Sequence, residues 1–239
     1  MSPHSNSPHT EFRRRGVEVS RLEAFSDCVM AFALTLLVIS LEVPKDPAEM
    51  LLKMRDALPF AVCFGIFMQI WFRHWAFFRR YGLTTPTVMA LNTLLLFVLL
   101  LYVYPLRYVF WAWLGAQDDP SHAAATRAMT PDQVRQIFVI FGVGYAAVFV
   151  IFALLHMHAL RMSAQLELTP PERCDTRNRI LGDVATAALA GGSIAIALYA
   201  PTRWVGFAGW SYALVGMIEF AQGAATGAVW DRVRRAQQT

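Results

Sequence analysis

Six long apolar stretches separated by short polar runs dominate the chain. They fall at roughly 22–43, 57–78, 86–114, 134–160, 180–200 and 204–230. Each is near or above the ~20 residues a helix needs to cross the hydrocarbon core of a bilayer. Within each stretch the apolar residues run on continuously, without the in–out alternation of a porin strand, which excludes a barrel. Helices are then the remaining way to satisfy backbone polar groups in lipid. The pattern predicts an all-α integral membrane protein with six transmembrane helices in one domain over 19–231. Residues 1–18, polar and containing Pro, Ser and His, read as a disordered tail, and 232–239 as a short C-terminal tail. Asp118-Asp119-Pro120 marks a turn, and Thr130-Pro131-Asp132 a helix N-cap. Residues 161–179, with Pro170-Pro171 and four arginines, read as a connection.

Composition supports this reading. Hydrophobic residues make up 56% and charged residues 16%, with mean hydropathy +0.40. A soluble domain is roughly 45–50% apolar and about 25% charged. Disorder of the whole chain is excluded, and a soluble enzyme of this length could not hide so much apolar surface. The net charge of +4 and a pI near 9.2 fit the positive-inside rule. Of 21 Lys and Arg, 14 fall on the side of the N-terminus and 7 on the other. This bias puts both termini in the cytoplasm of a multi-pass protein of the cell inner (plasma) membrane. No basic–aromatic pattern argues for nucleic acid. Cys28, Cys63 and Cys174 share no metal-ligand or disulfide spacing. Arg13-Arg14-Arg15 is followed by no signal-peptide pattern.

Ionisable groups inside a membrane cost several kcal/mol by insertion scales, so they are where function is sought. They are Asp27, His74, His156, His158, Asp183 and Glu219, with neutral Asn92 also needing partners. At ~1.5 Å rise per residue, Asp27, His74 and Asn92 sit roughly 8–10 Å inside the cytoplasmic edge. Arg21, Ser26 and Trp71 fall in or just outside the same slab. Arg21 and Asp27 are separated by ~600° of helical rotation, so Asp27 needs a partner on another helix. A network of Arg21, Ser26, Asp27, His74 and Asn92 across three helices would satisfy all of them. Structural glue is the plain reading of such a network. A proton relay, an ion site or a catalytic Asp/His dyad are the functional readings, and no nucleophile accompanies the dyad.

His156 and His158 point about 200° apart on a helix and cannot chelate one metal. They read as an interfacial pair, Asp183 as a boundary residue that snorkels or caps, and Glu219 as a buried hydrogen bond or subunit contact. Gly142-Val143-Gly144-Tyr145 looks like part of a potassium-channel filter. It sits inside an uninterrupted apolar helix with no pore helix before it, so chance explains the string.

The most informative stretch is Arg21-Leu22-Glu23-Ala24-Phe25-Ser26-Asp27, followed by an apolar helix with Thr35 eight positions after the Asp. With Trp71-x-x-His74 and Asn92, it resembles the R-x-x-x-F-S-D signature of the transmembrane protein 175 family, the lysosomal and prokaryotic potassium channels. The resemblance covers the whole topology, and its specific motifs lie in the first three helices. It implies a homotetramer in the bilayer, with one six-helix unit per subunit. It also implies a central K⁺ pore lined by the first helix, with no filter loop and no cofactor. Large apolar side chains on that helix would form the constriction. Arg21, Phe25, Ser26, Asp27, Trp71, His74 and Asn92 would anchor the helix, and Asp27→Ala is expected to impair assembly before permeation.

Periodicity tests which residues face the axis. Phe32, Leu36 and Ile39 lie within about 60° of one another at ~100° per residue, with Thr35 beside Phe32. These three form the expected constriction and Thr35 its polar position. Phe32 departs from the Ile or Leu that the family usually carries there. An apolar ring a few ångströms wide holds no water, so an ion would have to shed its shell, which the larger K⁺ does more cheaply than Na⁺. Modest K⁺ preference is the expectation. The alternative is a proton-coupled secondary transporter using Asp27, His74 and Glu219, for which Gly191-Gly192 is the candidate helix break. An enzyme is not expected.

Overall fold

The structure, a computed structural model of the single chain, describes residues 11–39, 46–54, 57–114, 120–201, 204 and 207–236. The described chain is all-helical. In order the helices are α1 (Arg21–Ile39), α2 (Pro47–Lys53), α3 (Ala57–Tyr81), α4 (Pro86–Leu114), α5 (Pro120–Arg127), α6 (Pro131–Arg161), α7 (Pro170–Tyr199), α8 (Phe207–Trp210) and α9 (Leu214–Ala236). A 3₁₀ turn, Ser211–Ala213, joins the last two. Five helices, α1, α3, α4, α6 and α7, are long and apolar enough to cross a membrane. α9 has the length but carries Glu219, Gln222, Asp231 and three arginines. The expected stretch 86–114 coincides with α4. The part of 22–43 beyond Ile39 lies outside the described residues.

α1 packs on α3 and α4, α4 on α6, and α6 on α7, while α7 also carries α9. The core runs along the middle of this arrangement, through Phe67, Phe77, Leu95, Leu99, Phe141, Phe149 and Phe152. Gly142 and Gly144 lie within α6. A Cβ at Gly144 would sit 2.3 Å from the Tyr102 ring of α4, and one at Gly142 would sit 2.6 Å from Ile194 of α7. Small residues let helices approach closely in a membrane, so packing accounts for the filter-like string.

α7 begins ten residues before the stretch predicted for it, inside what reads as a connection. Thr169 starts it: the Glu172 carboxylate accepts from the Thr169 backbone N–H at 2.9 Å, and Pro170-Pro171 occupy the first turn. Hydropathy missed this turn because the buried face of α7 is polar. That face holds Glu172, Asp175, Thr176, Gly182, Asp183, Thr186 and Ser193. Leu181, Val184, Leu198 and Tyr199 point outward instead. The helix is thus inverted relative to a soluble one, as lipid outside and polar partners inside require. The N-cap expected at Thr130 is present as a reciprocal pair with Gln133, at 2.8 and 3.3 Å. At the far end of α7, Arg135 donates to the carbonyls of Ala197, Leu198 and Ala200.

A second departure is at the N-terminus. Residues 1–10 lie outside the described residues, but 11–20 lie along the bundle. Phe12 meets Tyr81 edge-on at 5.5 Å and Trp230 at 6.4 Å. Arg15 pairs with Glu172 at 2.7 Å. A loose tail is therefore not what residues 11–18 form, because a buried carboxylate and an aromatic pocket hold them.

Candidate functional site

Ser20 precedes α1, and its hydroxyl accepts from Glu23 N–H at 3.1 Å. From there the helix shows two seams. Glu23, Ser26, Met30, Ala33 and Leu37 are buried. Phe25, Cys28, Phe32, Thr35 and Ile39 are exposed, with Ala24, Ala31 and Val38 exposed beside them. Both sets advance by three and four residues in turn, the spacing of a helix face that packs along its length. The first seam meets α3 and α4. The second faces away from the protomer, with Phe25 61%, Phe32 59% and Ile39 68% exposed. Thr35 Oγ1 donates back to Ala31 O at 3.0 Å. Leu36, expected on the stripe with Phe32 and Ile39, is only half exposed and packs against the core.

The polar residues of the first three long helices divide into two sets. In one, His74 Nε2 lies 2.9 Å from Asn92 Oδ1. Asn92 Nδ2 donates to Ser26 Oγ at 2.8 Å, and Ser26 donates to Leu22 O at 2.7 Å. The directions fix one another: the serine proton is committed to Leu22, so the asparagine must present its NH₂ to Ser26 and its oxygen to His74. His74 therefore carries its proton on Nε2. All three side chains are buried. In the other set, Trp71 Nε1 donates to Asp27 Oδ1 at 2.9 Å. Arg21 and Phe25 join neither set; both are exposed at the start of α1. Arg21, the first residue of the helix, is exposed and bonds to none of the others, so the expected five-residue network lacks its cation.

The sequence reasoning missed Glu23. It is buried and pairs with Arg79 at 3.2 Å. The signal was available as Ser20-x-x-Glu23, a capping spacing, although the glutamate turns to Arg79 rather than back to the cap. It also missed Arg73, one of the 14 Lys and Arg counted on the side of the N-terminus. Arg73 reaches between α7 and α9 to pair with both Asp183 and Glu219. It stacks over Phe149 at 5.0 Å. His156 Nδ1 sits 2.8 Å from the other oxygen of Asp183, and Gln69 donates to Glu219 at 3.1 Å. Asp183 is fully buried rather than a boundary residue. His156 and His158 do not act as a pair, since His158 Nε2 meets Thr85 Oγ1, just before α4, at 3.0 Å. Two turns farther along, Arg80 pairs with Asp175 at 2.5 Å, and Thr226 donates to that acid at 2.9 Å.

This arrangement bears on the transporter reading. Asp27 and His74 are bonded on the α1 side of α3, and Glu219 on the α9 side, so the three residues do not form one relay. Gly191 and Gly192 lie inside α7, which runs unbroken from Pro170 to Tyr199. Among the described residues no group of three His, Cys, Asp or Glu is placed to hold a metal.

Comparison with known proteins decides the family. The family model described as endosomal/lysosomal potassium channel TMEM175 matches residues 21–102, the segment that holds both seams of α1 and both polar sets around it. A protein from Marivirga tractuosa named as a potassium channel is 34% identical over 198 residues, covering 80% of this chain and 79% of the relative. The chain belongs to the TMEM175 family. Its fold is similar to a crystal structure of a variant of the potassium channel MtTMEM175 solved with a nanobody–MBP fusion. That match has a TM-score of 0.75 and 30% identity, over 92% of this chain and 99% of that one. A homolog, from Chamaesiphon minutus, of the lysosomal potassium-selective channel TMEM175 matches with a TM-score of 0.56 and 18% identity. It covers 84% and 96% of the two chains. At that identity the likeness speaks to the fold alone. TMEM175 relatives are potassium channels rather than enzymes.

Proposed function

We propose that four copies of this chain assemble around α1 as a potassium-permeable channel that prefers K⁺ over Na⁺ modestly. Family membership supports conduction, and the relatives carry the name potassium channel. The observation that carries the pore reading is the outward seam of α1. Phe25, Phe32 and Ile39 lie exposed in a line, with Thr35 between the last two, and a second copy of the same seam is a natural cover for it. Phe32 and Ile39, flanked by Leu36, would form the apolar constriction, and Thr35 the polar step beside it. A ring of this kind empties of water when narrow, and ions then meet the cost of dehydration. A small rotation of α1 would widen it or turn the Thr35 hydroxyls inward. K⁺ is the permeant species in this reading, and no cofactor takes part.

The remaining parts of the reading follow from charge and length. Residues 19–231 form the channel domain and 232–239 a tail. α9 supplies a sixth span whose polar residues are covered by α3 and α7, and the two-to-one arginine bias keeps both termini in the cytoplasm of a plasma-membrane protein. The test is K⁺ flux from liposomes without a pH gradient, with the particle mass measured in detergent. Flux that follows voltage from a particle of four chains is expected. A monomer, or a density map with residues 30–39 against acyl chains, would overturn the pore. Phe32→Ala should raise the leak in planar bilayers, and Thr35→Ala should alter ion preference.

A further inference from the structure

We propose that residues 12–17 form a docked strap that fixes the inner end of α1, with Arg79 as the positioning residue shared by strap and pore helix. The proposal rests on the reading of α1 as the pore helix. The strap has no helix or strand of its own, yet Phe12, Arg13, Arg15, Gly16 and Val17 all make contacts to the bundle. Phe12 sits between Tyr81 and Trp230, and the Arg80 guanidinium lies over its ring at 4.9 Å. Arg13 N–H donates to Glu172 at 2.9 Å. Arg15 holds the same carboxylate with two nitrogens, at 2.7 and 3.2 Å, and also donates to Leu166 O at 2.8 Å. The Glu172 side chain is 1% exposed, and the strap supplies its cations. With the strap lifted, a buried carboxylate would be left without a counter-charge, which is costly.

The backbone is fitted as closely as the side chains. Gly16 N–H donates to Arg79 O at 3.2 Å, satisfying a carbonyl of the last turn of α3. A Cβ at Gly16 would lie 2.3 Å from Phe78 O. Gly82, at φ +60°, ends α3 in the left-handed region, and a Cβ there would lie 3.1 Å from the strap backbone. Two glycines thus let the strap cross over the α3–α4 corner. Arg79 closes the arrangement. One nitrogen donates to Gly16 O and Val17 O, at 2.9 and 3.0 Å, while the other pairs with Glu23 in the first turn of α1. Only a few residues separate Val17 from Arg21, so the chain has little slack. α1 itself packs on α3 and α4. The strap adds a link from α7 and α9, through Glu172 and Trp230, to the same helix end. Releasing it frees α1 to move and increases K⁺ leak.

The test uses the full chain in liposomes, with Arg15→Ala and Gly16→Ala as independent ways to lift the strap. Trypsin reports docking directly, because Arg13, Arg14 and Arg15 are its cleavage sites. The expected result is faster cleavage, an unchanged particle mass, an unchanged K⁺/Na⁺ ratio and a leak raised about two- to thirty-fold. Faster cleavage of an intact particle with unchanged leak overturns the proposal. Wild-type cleavage as fast as that of the variants overturns it as well. A conduction-independent readout separates this from the channel reading: the mobility of a spin label on exposed Cys28 of α1, with Cys174→Ser. Should the wild type pass no K⁺, the channel reading fails, and the label still decides the strap. Higher mobility in both variants supports it, and unchanged mobility sinks it.

Discussion

α3 serves two polar systems from neighbouring positions. His74 and Trp71 turn toward α1 and α4, where Asn92, Ser26 and Asp27 wait. Arg73 and Arg80 turn toward α7 and α9, where every partner carboxylate is an ion-pair acceptor. On the α1 side these links are neutral hydrogen bonds passed from residue to residue, with Asp27 held by an indole N–H, and the Glu23–Arg79 ion pair stands apart in the first turn of α1. On the α7 side they are full charges in close contact. A neutral chain can loosen by one bond without stranding an ion, whereas an ion pair cannot. Beyond its first turn, where Glu23 pairs with Arg79, the helix proposed to move is therefore tied with the gentler kind of bond, and the helices that frame it with the harsher kind.

Substitutions can break this contrast, and the largest effect belongs to the charged side. Asp183→Ala leaves Arg73 and His156 without their shared acid and should cost about 3–5 kcal/mol. The expected outcome is loss of the assembled peak in fluorescence-detected size exclusion. Normal recovery and melting of this variant would mean that the cluster is solvated and the contrast false. On the neutral side, Asn92→Leu strands the His74 N–H and should cost about 1–3 kcal/mol, read as a lowered melting temperature of a particle that still forms. Ser26→Ala removes only the last link, and about 0.5–1.5 kcal/mol is expected. If Asn92→Leu proved as damaging as Asp183→Ala, the two sides would not differ in kind. At the small end, Phe32→Ile on the outward seam should leave the melting temperature within about 0.5 kcal/mol of wild type, while changing the leak measured in planar bilayers.

Much of the neutral side was legible in the sequence. Asp27, His74 and Asn92 stand out as polar residues in apolar runs, and their common depth follows from counting residues. The charged side was harder to read. Arg73 lies six and seven positions before Arg79 and Arg80, and charge counting assigns such a residue to the nearest boundary. Its role depends on where α7 and α9 pass, which no local pattern encodes. The start of α7 was missed because hydropathy averages over all faces of a helix, and this one keeps its polar residues inside. The Thr169-Pro-Pro-Glu172 start did carry a readable capping signal. Leu36 shows the limit of periodicity: it places residues on an arc of a helix, and only the neighbouring helices decide where the arc ends. Arg21 was enlisted for its depth and its place in the R-x-x-x-F-S-D motif, while the structure leaves it exposed, gives Asp27 an indole and pairs Glu23 with Arg79.

The inverted face of α7 also constrains how the protein is made. A helix that hides two aspartates and a glutamate is a poor candidate to enter lipid alone. The chain order resolves this, since Arg73 and Arg80 precede Asp175 and Asp183 by about a hundred residues. The cations are already in place when the acids emerge during synthesis, and α7 is received by a half-built bundle rather than by bare hydrocarbon.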